Sequence, residues 1–231
     1  MCHRIQSGLT SRLAPGLALI FDLDGVIVDS DPVHREAWAI FNRRFGLETT
    51  ETMLQRTYGK RNDEIVRDFF GGGLPPEEVA ARGTAKEELY REMISGRIEE
   101  ILVPGVRGFL ERHRGVPMGL ATNAEPANVE FLLDRAGLRP YFRVVVDGHQ
   151  VRHPKPHPEI YLRAAGLLGT APANCLVFED SPAGVEAARS AGMRVISICT
   201  TLVNLPGTHI TIDNFLSRDL EPWLRAQSRT D

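Results

Sequence analysis

Residues 17–30 read Leu17-Ala18-Leu19-Ile20-Phe21-Asp22-Leu23-Asp24-Gly25-Val26-Ile27-Val28-Asp29-Ser30, and they say more about function than the rest of the chain. A short apolar run, 17–21, stops at two carboxylates two residues apart, and a glycine follows. An apolar run of about 4–8 residues closed by a polar turn reads as a buried strand of a parallel sheet. In open α/β sheets, ligands sit beyond the carboxyl ends of such strands, so chemistry is expected at Asp22 and Asp24. Side chains at i and i+2 of an ideal strand share a face, which predicts both carboxylates in one pocket. An isolated Asp-x-Asp is ordinarily a solvated turn. The strand before it and Gly25, which permits a tight backbone path, favour the chemical reading.

Outward from this strand the chain alternates apolar runs with helical patterns. The runs are 118–121, 143–146, 175–178, 194–198 and a weak 210–212; the helical stretches are 106–114, 126–136, 158–168, 183–191 and 215–225. Gly137 and Gly192 stand where two of these helices should stop. Repeated β-α alternation predicts a doubly wound parallel sheet. Val129, Leu132, Leu133 and Ala136 recur at helical spacing and should face it.

Residues 31–100 differ. Helical patterns at 34–45, 50–54, 62–70 and 76–94 have no strand among them, and Gly71-Gly72-Gly73 interrupts them with a loop. An all-helical insert in an α/β chain predicts a second small domain, with a core domain of residues 17–30 and 101–231 and linkers near 29–31 and 101–105 acting as hinges. Residues 1–16 carry Arg4 and Arg12 and no apolar core of signal-peptide length; a loosely ordered leader is expected.

Composition excludes several classes. The 231 residues are 42% hydrophobic and 25% charged with a net charge of −3, enough apolar content for a sizeable core. That balance leaves no basic footprint for nucleic acid, and no apolar run approaches the roughly 18 residues of a membrane-spanning helix. Cys2, Cys175 and Cys199 form no paired framework and match no metal spacing, so a reducing, cytoplasmic setting is expected. His149, His153 and His157 recur every fourth residue, but Pro154, Pro156 and Pro158 exclude the helix that would align them. No zinc site is expected there.

Three further motifs follow in order. Apolar 118–121 ends in Thr122-Asn123; Pro154-Lys155-Pro156-His157-Pro158-Glu159 places a lysine before a helix; apolar 175–178 runs into Glu179-Asp180-Ser181-Pro182-Ala183-Gly184. With Asp22-Leu23-Asp24-Gly25 these resemble the four ordered motifs of the haloacid dehalogenase superfamily, and the resemblance spans residues 17–224. It implies a Rossmann-like core and a helical cap made by the insert, which closes over the active site.

The resemblance also implies roles. Asp22 is the nucleophile that forms an aspartyl-phosphate, and Asp24 protonates the leaving oxygen and later deprotonates water. Dehalogenases of the superfamily lack the second Asp, so Asp24 favours phosphoryl chemistry. Lys155 and the Thr122 hydroxyl hold phosphate, with Asn123 beside them. Several carboxylates facing a phosphate need a cation, and Mg²⁺ suits oxygen ligands. Its implied ligands are Asp22, the Asp24 main-chain carbonyl and Asp180, with Glu179 alongside through water. Glu179 and Asp180 also fit an ordinary helix N-terminus.

Within the superfamily the string from Asp24 to Ser30, with His34 and Trp38, resembles the β-phosphoglucomutase and sugar-phosphate phosphatase branch. His34 and Lys86 match mutase positions that touch the acid–base Asp and the substrate. Asn62 falls where the mutase has a phosphate-binding arginine, with Arg61 one residue away, and Asn123-Ala124-Glu125 offers no basic counterpart to another mutase contact. Lost anion contacts favour a phosphatase of small sugar or polyol phosphates, with the mutase as the alternative. A monomer acting on a small phosphorylated metabolite, with neither nucleic acid nor membrane as partner, is expected.

Overall fold

The computed structural model describes residue 13 and residues 15–57, 60–200 and 205–227. The expected leader lies outside them except at Leu13, Pro15 and Gly16, and Leu13 is buried in the core beside Leu17.

Six strands form one sheet: β1 (Ala18–Phe21), β2 (Met118–Ala121), β3 (Val144–Val146), β4 (Cys175–Glu179), β5 (Arg194–Ile198) and β6 (Ile210–Ile212). Their order is β3-β2-β1-β4-β5-β6, and every neighbouring pair is parallel. The order reverses at β1, the topological switch point at which such sheets bind ligands. Alternate residues of the central strand serve opposite faces. Leu19 and Phe21 join one apolar cluster, Ala18 and Ile20 the other. Phe21 pairs in register with Phe178 and stacks on it at 4.7 Å.

The first face is covered by α6 (Val106–Arg112), α7 (Pro126–Arg135) and α10 (Leu220–Gln227), the second by α8 (Glu159–Leu168) and α9 (Pro182–Ser190). Val129, Leu132, Leu133 and Ala136 are all buried there, as their spacing predicts. The last helix starts later than its pattern suggested. Phe215 is not helical: its amide bonds to the Pro104 carbonyl and its ring fills the core between Phe109 and Phe178.

The insert holds α1 (Asp31–Arg43), α2 (Glu51–Gln55), α3 (Asn62–Phe70), α4 (Pro76–Ile94) and α5 (Ile98–Ile101). Its helices pack around Trp38, Phe41, Leu54, Ile65, Val66, Phe69 and Val79, an apolar cluster separate from the two on the sheet. The short α5 was not expected; it lies at the end of the insert and reaches the linker only at Ile101. The two connections run side by side, with the Asp29 amide bonded to the Ile101 carbonyl at 2.7 Å and the Val103 amide to the Ile27 carbonyl at 3.0 Å. Among the described residues no helix is long and apolar enough to cross a membrane.

Candidate active site

One cavity opens beyond the carboxyl ends of β1, β2 and β4. The sheet side contributes Asp22, Asp24, Thr122, Asn123, Lys155 and Asp180, and the helical insert contributes His34, Lys60, Asn62, Lys86 and Glu87. Asp22 and Asp24 do not share the face of a strand, as alternation would have it. The strand ends at Phe21, the Asp22 amide makes one more bond to the Phe178 carbonyl, and residues 23–28 fold into a turn closed by Ile27 and Val28 amides on the Leu23 carbonyl. Both carboxylates enter the cavity because of that turn. Gly25 makes it possible: its φ is +72°, and a Cβ there would stand 1.9 Å from Asp180 Oδ2.

Asp22, Lys155 and Glu179 form a buried charged row. Lys155 Nζ donates to Glu179 Oε1 at 2.6 Å and lies 3.0 Å from Asp22 Oδ1. The second contact lacks hydrogen-bond alignment, so Asp22 Oδ1 is buried without a hydrogen-bond partner. Burial pushes the Asp22 carboxyl up to about 7, with Lys155 opposing and the like charges of Glu179 and Asp24 adding to it. Burial works against the Lys155 ammonium, but its two carboxylate neighbours outweigh that and hold its pKa above the ordinary value. Lys155 is therefore a fixed cation.

Glu179 was expected beside a metal. In the structure its oxygens accept donors of the protein: Lys155 Nζ and the Tyr161 hydroxyl on Oε1, and the Asp180 amide, Ser181 amide and Ser181 hydroxyl on Oε2. This carboxylate anchors the lysine. Gly184 lets helix α9 approach so closely, since a Cβ there would lie 1.7 Å from Glu179 Oε1.

Whether a hard cation fits can be read from the remaining oxygens. Ligand atoms of Asp22, Glu179 and Asp180 lie within 4.8 Å of one another, all three residues buried. Asp22 Oδ1 has no hydrogen-bond donor, and burial with its acidic neighbours raises the Asp22 pKa even though Lys155 stands beside it, so a further cation would stabilise the ionised carboxylate. All-oxygen donors suit Mg²⁺, with Asp22 and Asp180 as the side chains that would hold it.

Thr122 is buried at the end of β2; its Oγ1 accepts the Ala124 amide at 3.1 Å, which leaves its own proton to donate. Asn123 Oδ1 accepts the Lys155 amide at 3.3 Å, tying the β2 loop to the lysine loop.

Across the cavity, Asp24 faces the insert. Ser30 Oγ donates to Asp24 Oδ1 at 2.6 Å, and His34 Nε2 lies 3.7 Å from the same oxygen. Lys86 Nζ is 2.8 Å from His34 Nδ1. Ammonium has only donors, so Nδ1 accepts and the imidazole proton sits on Nε2, toward Asp24. Burial would raise the Asp24 carboxyl, but His34 and the Ser30 hydroxyl hold it below its ordinary value. His34 also stacks on Tyr90 with ring centroids 3.8 Å apart.

Lys86 in turn donates to Glu87 Oε1 at 2.7 Å, and Asn128 of α7 donates to Glu87 Oε2 at 2.6 Å. Arg91 donates to Asn128 Oδ1 at 2.7 Å. This chain ties α4 of the insert to α7 of the sheet layer. Burial pushes Glu87 up, yet Lys86, His34 and Asn128 prevail and hold it down to about 2.

Arg61, expected at the substrate, is not among the described residues that line the cavity; its Nε lies 3.6 Å from Asp63 Oδ1. Lys60 and Asn62 beside it do line the cavity, and Lys60 pairs with Asp68 at 2.6 Å. Sequence reasoning missed Ser30, Glu87, Asn128 and Tyr161. Ser30 stands inside the first quoted stretch and Tyr161 two residues past the third motif, where a hydroxyl near a carboxylate was the signal. Nothing local marks Glu87 or Asn128, whose partnership spans 41 residues.

The same families emerge from comparison with known proteins. A model of the haloacid dehalogenase-like hydrolases matches residues 17–192. Fructose-1-phosphate phosphatase YqaB of Escherichia coli K12 is 35% identical over 184 residues, 78% of this chain and 95% of that protein. The β-phosphoglucomutase of Bacillus subtilis is 32% identical over 192 residues, covering 78% and 82%. A crystal structure of an Asp-to-Asn variant of CbbY from Rhodobacter sphaeroides, in complex with xylulose-1,5-bisphosphate, superposes with a TM-score of 0.74 at 27% identity, covering 86% of this chain and 94% of that one.

Proposed function

The chain belongs to the haloacid dehalogenase-like hydrolases, and from that premise we propose that it is a Mg²⁺-dependent phosphatase. Its substrate is a small sugar or polyol monophosphate, and the reaction runs through an aspartyl-phosphate on Asp22. The helical insert, residues 31–100, serves as the cap that covers the substrate. The observation that carries this reading is Lys155 held between Asp22 and Glu179, opposite an Asp24 that contacts His34 of the insert.

Asp22, fixed past the end of β1, attacks phosphorus while the bond to the leaving oxygen breaks. Asp24 delivers a proton to that oxygen. Its carboxyl is held low without substrate, and the negative charge of a phosphate raises it toward the acid role. In the second half a water attacks the aspartyl-phosphate, Asp24 takes its proton, and inorganic phosphate leaves with Asp22 regenerated. Lys155, the Thr122 hydroxyl and Asn123 bind the phosphate oxygens. Mg²⁺, when held by Asp22, Asp180 and the Asp24 main-chain carbonyl, supplies positive charge against the phosphate. His34, itself held by Lys86, reaches Asp24 from the insert and ties the acid–base group to the cap.

Relatives include a phosphatase, a mutase and a protein seen with a bisphosphate. A mutase must grip a second phosphate while its intermediate turns round. The cap cations on this cavity are already neutralised, Lys60 by Asp68 and Lys86 by Glu87, and acidic Asp31 and Glu125 line the same space. That charge pattern supports one phosphate and release to water. Activity on a panel of phosphorylated sugars, polyols and sugar bisphosphates tests the reading. Hexose or hexitol monophosphates should give the highest kcat/KM, and a preference for bisphosphates would defeat it.

A further inference from the structure

We propose that His153, His157 and Glu159 form a second metal site, one for a divalent transition ion such as Zn²⁺, apart from the carboxylate cluster. The prolines that exclude a helix here do not keep the histidines apart. A turn closed by the His157 amide on the Pro154 carbonyl at 2.9 Å brings the two rings to a centroid distance of 4.6 Å. Ligand atoms of the three residues lie within 4.8 Å of one another. His153 Nδ1 is 3.0 Å from Glu159 Oε2, and His157 Nδ1 is 3.9 Å from the same oxygen. His149 stands elsewhere, 3.2 Å from Glu125.

The spacing suits a chelate. Zinc bonds of about 2.0–2.2 Å to nitrogen and oxygen separate neighbouring ligands by roughly 3–3.5 Å in tetrahedral geometry. The present His153–Glu159 hydrogen bond therefore already has nearly the required bite. Closing on the ion asks His157 for a small ring movement and the loss of its long, 3.3 Å contact with the Glu159 amide. The other parts are preorganised. Glu159 accepts the Arg152 amide at 2.9 Å and the His153 amide at 3.1 Å, so its carboxylate is aimed before any ion arrives. Pro154, Pro156 and Pro158 fix φ between the ligands, which lowers the entropy cost of ordering them.

Donor type separates this site from the catalytic one. Two imidazoles favour zinc and its neighbours over Mg²⁺, while the carboxylate cluster suits Mg²⁺. Both histidines are exposed, so the remaining coordination positions are open to water and the ion exchanges readily. Lys155 lies between the two histidines in sequence, and an ion here fixes the turn that carries it.

Calorimetric titration of Zn²⁺ into the untagged chain tests this, with Mg²⁺ in large excess to occupy the carboxylates. The comparison is of the unaltered chain with His153→Ala, His157→Ala and His149→Ala. We expect a Zn²⁺ event in the unaltered chain and in His149→Ala. Losing a direct ligand should cost more than the roughly 10–100-fold lost with a ligand's hydrogen-bond partner, so His153→Ala and His157→Ala should each fall by at least that much. No Zn²⁺ binding to the unaltered chain overturns the proposal. So does equal affinity across all four proteins, the result for zinc that merely displaces Mg²⁺ from the carboxylates.

Discussion

Lys155 and Glu179 form a fully enclosed ion pair, Nζ to Oε1 at 2.6 Å, and through it the fourth motif of the chain holds the cation of the third. Removing one partner of a buried pair strands the other charge, at a cost of about 3–5 kcal/mol. Glu179→Ala should destabilise the protein by that order in urea unfolding, because the Tyr161 hydroxyl and the Ser181 donors lose their acceptor as well. Glu179→Gln keeps the shape and should recover much of the stability but little of the turnover, since Lys155 then leans on Asp22 alone. Equal stability of Glu179→Ala and the parent would remove Glu179 from this role.

The Glu87 carboxyl gives a pH test away from the reacting groups. It is held at about 2 when folded, against an ordinary 4.5. A depressed carboxyl stabilises the folded state above its unfolded pKa, and that contribution disappears as pH falls through its folded one. Glu87→Gln should therefore be less stable than the parent at pH 6. The gap should begin to close near pH 4.5 and be largely gone near 2. A gap that stays constant from pH 6 to acid contradicts the assignment.

Metal dependence follows from the donors around Asp22. EDTA should abolish turnover and Mg²⁺ restore it, and Asp180→Ala should weaken Mg²⁺ binding measured calorimetrically. Gly25→Ala should also weaken it without replacing any ligand, because the added Cβ would displace Asp180 Oδ2, 1.9 Å away, and φ is positive there. Full activity in chelator would take the ion out of the account.

Asp22→Asn should keep the fold, since the amide fills the same space, and lose about 10⁴-fold or more in kcat, as other enzymes do without their nucleophile. Circular dichroism would establish the first point and initial rates the second. Near-normal rates would move the nucleophile elsewhere.

How much of this was legible in the sequence depends on the range of the contacts. The strands, the main helices of the insert and the four motif ends are written in local apolar runs and the residues that stop them; the short α5 was not expected, and the last helix starts later than its pattern. There Phe215 belongs to the core rather than to α10, a choice made by the aromatic cluster it completes. Asp22, Thr122 and Asp180 follow directly on the ends of parallel strands, and turns at the same edge of the sheet bring Asp24 and Lys155 to them. The turn beyond Phe21, the commitment of Glu179 to Lys155 and the Glu87–Asn128 tie were not legible, since each depends on partners far along the chain. The approach of His153 and His157 was not legible either, because a turn rather than a helix brings them together.

On the proposed mechanism water, and not a sugar hydroxyl, resolves the intermediate on Asp22. This is tested most directly by incubating the Mg²⁺-loaded enzyme with β-glucose 1-phosphate and a hexose bisphosphate primer, following inorganic phosphate and glucose 6-phosphate together. With Lys60 and Lys86 already paired to Asp68 and Glu87, phosphate should accumulate without need of the primer and glucose 6-phosphate should remain a minor product. Rapid, primer-dependent formation of glucose 6-phosphate with little free phosphate would contradict the account and make the chain a mutase.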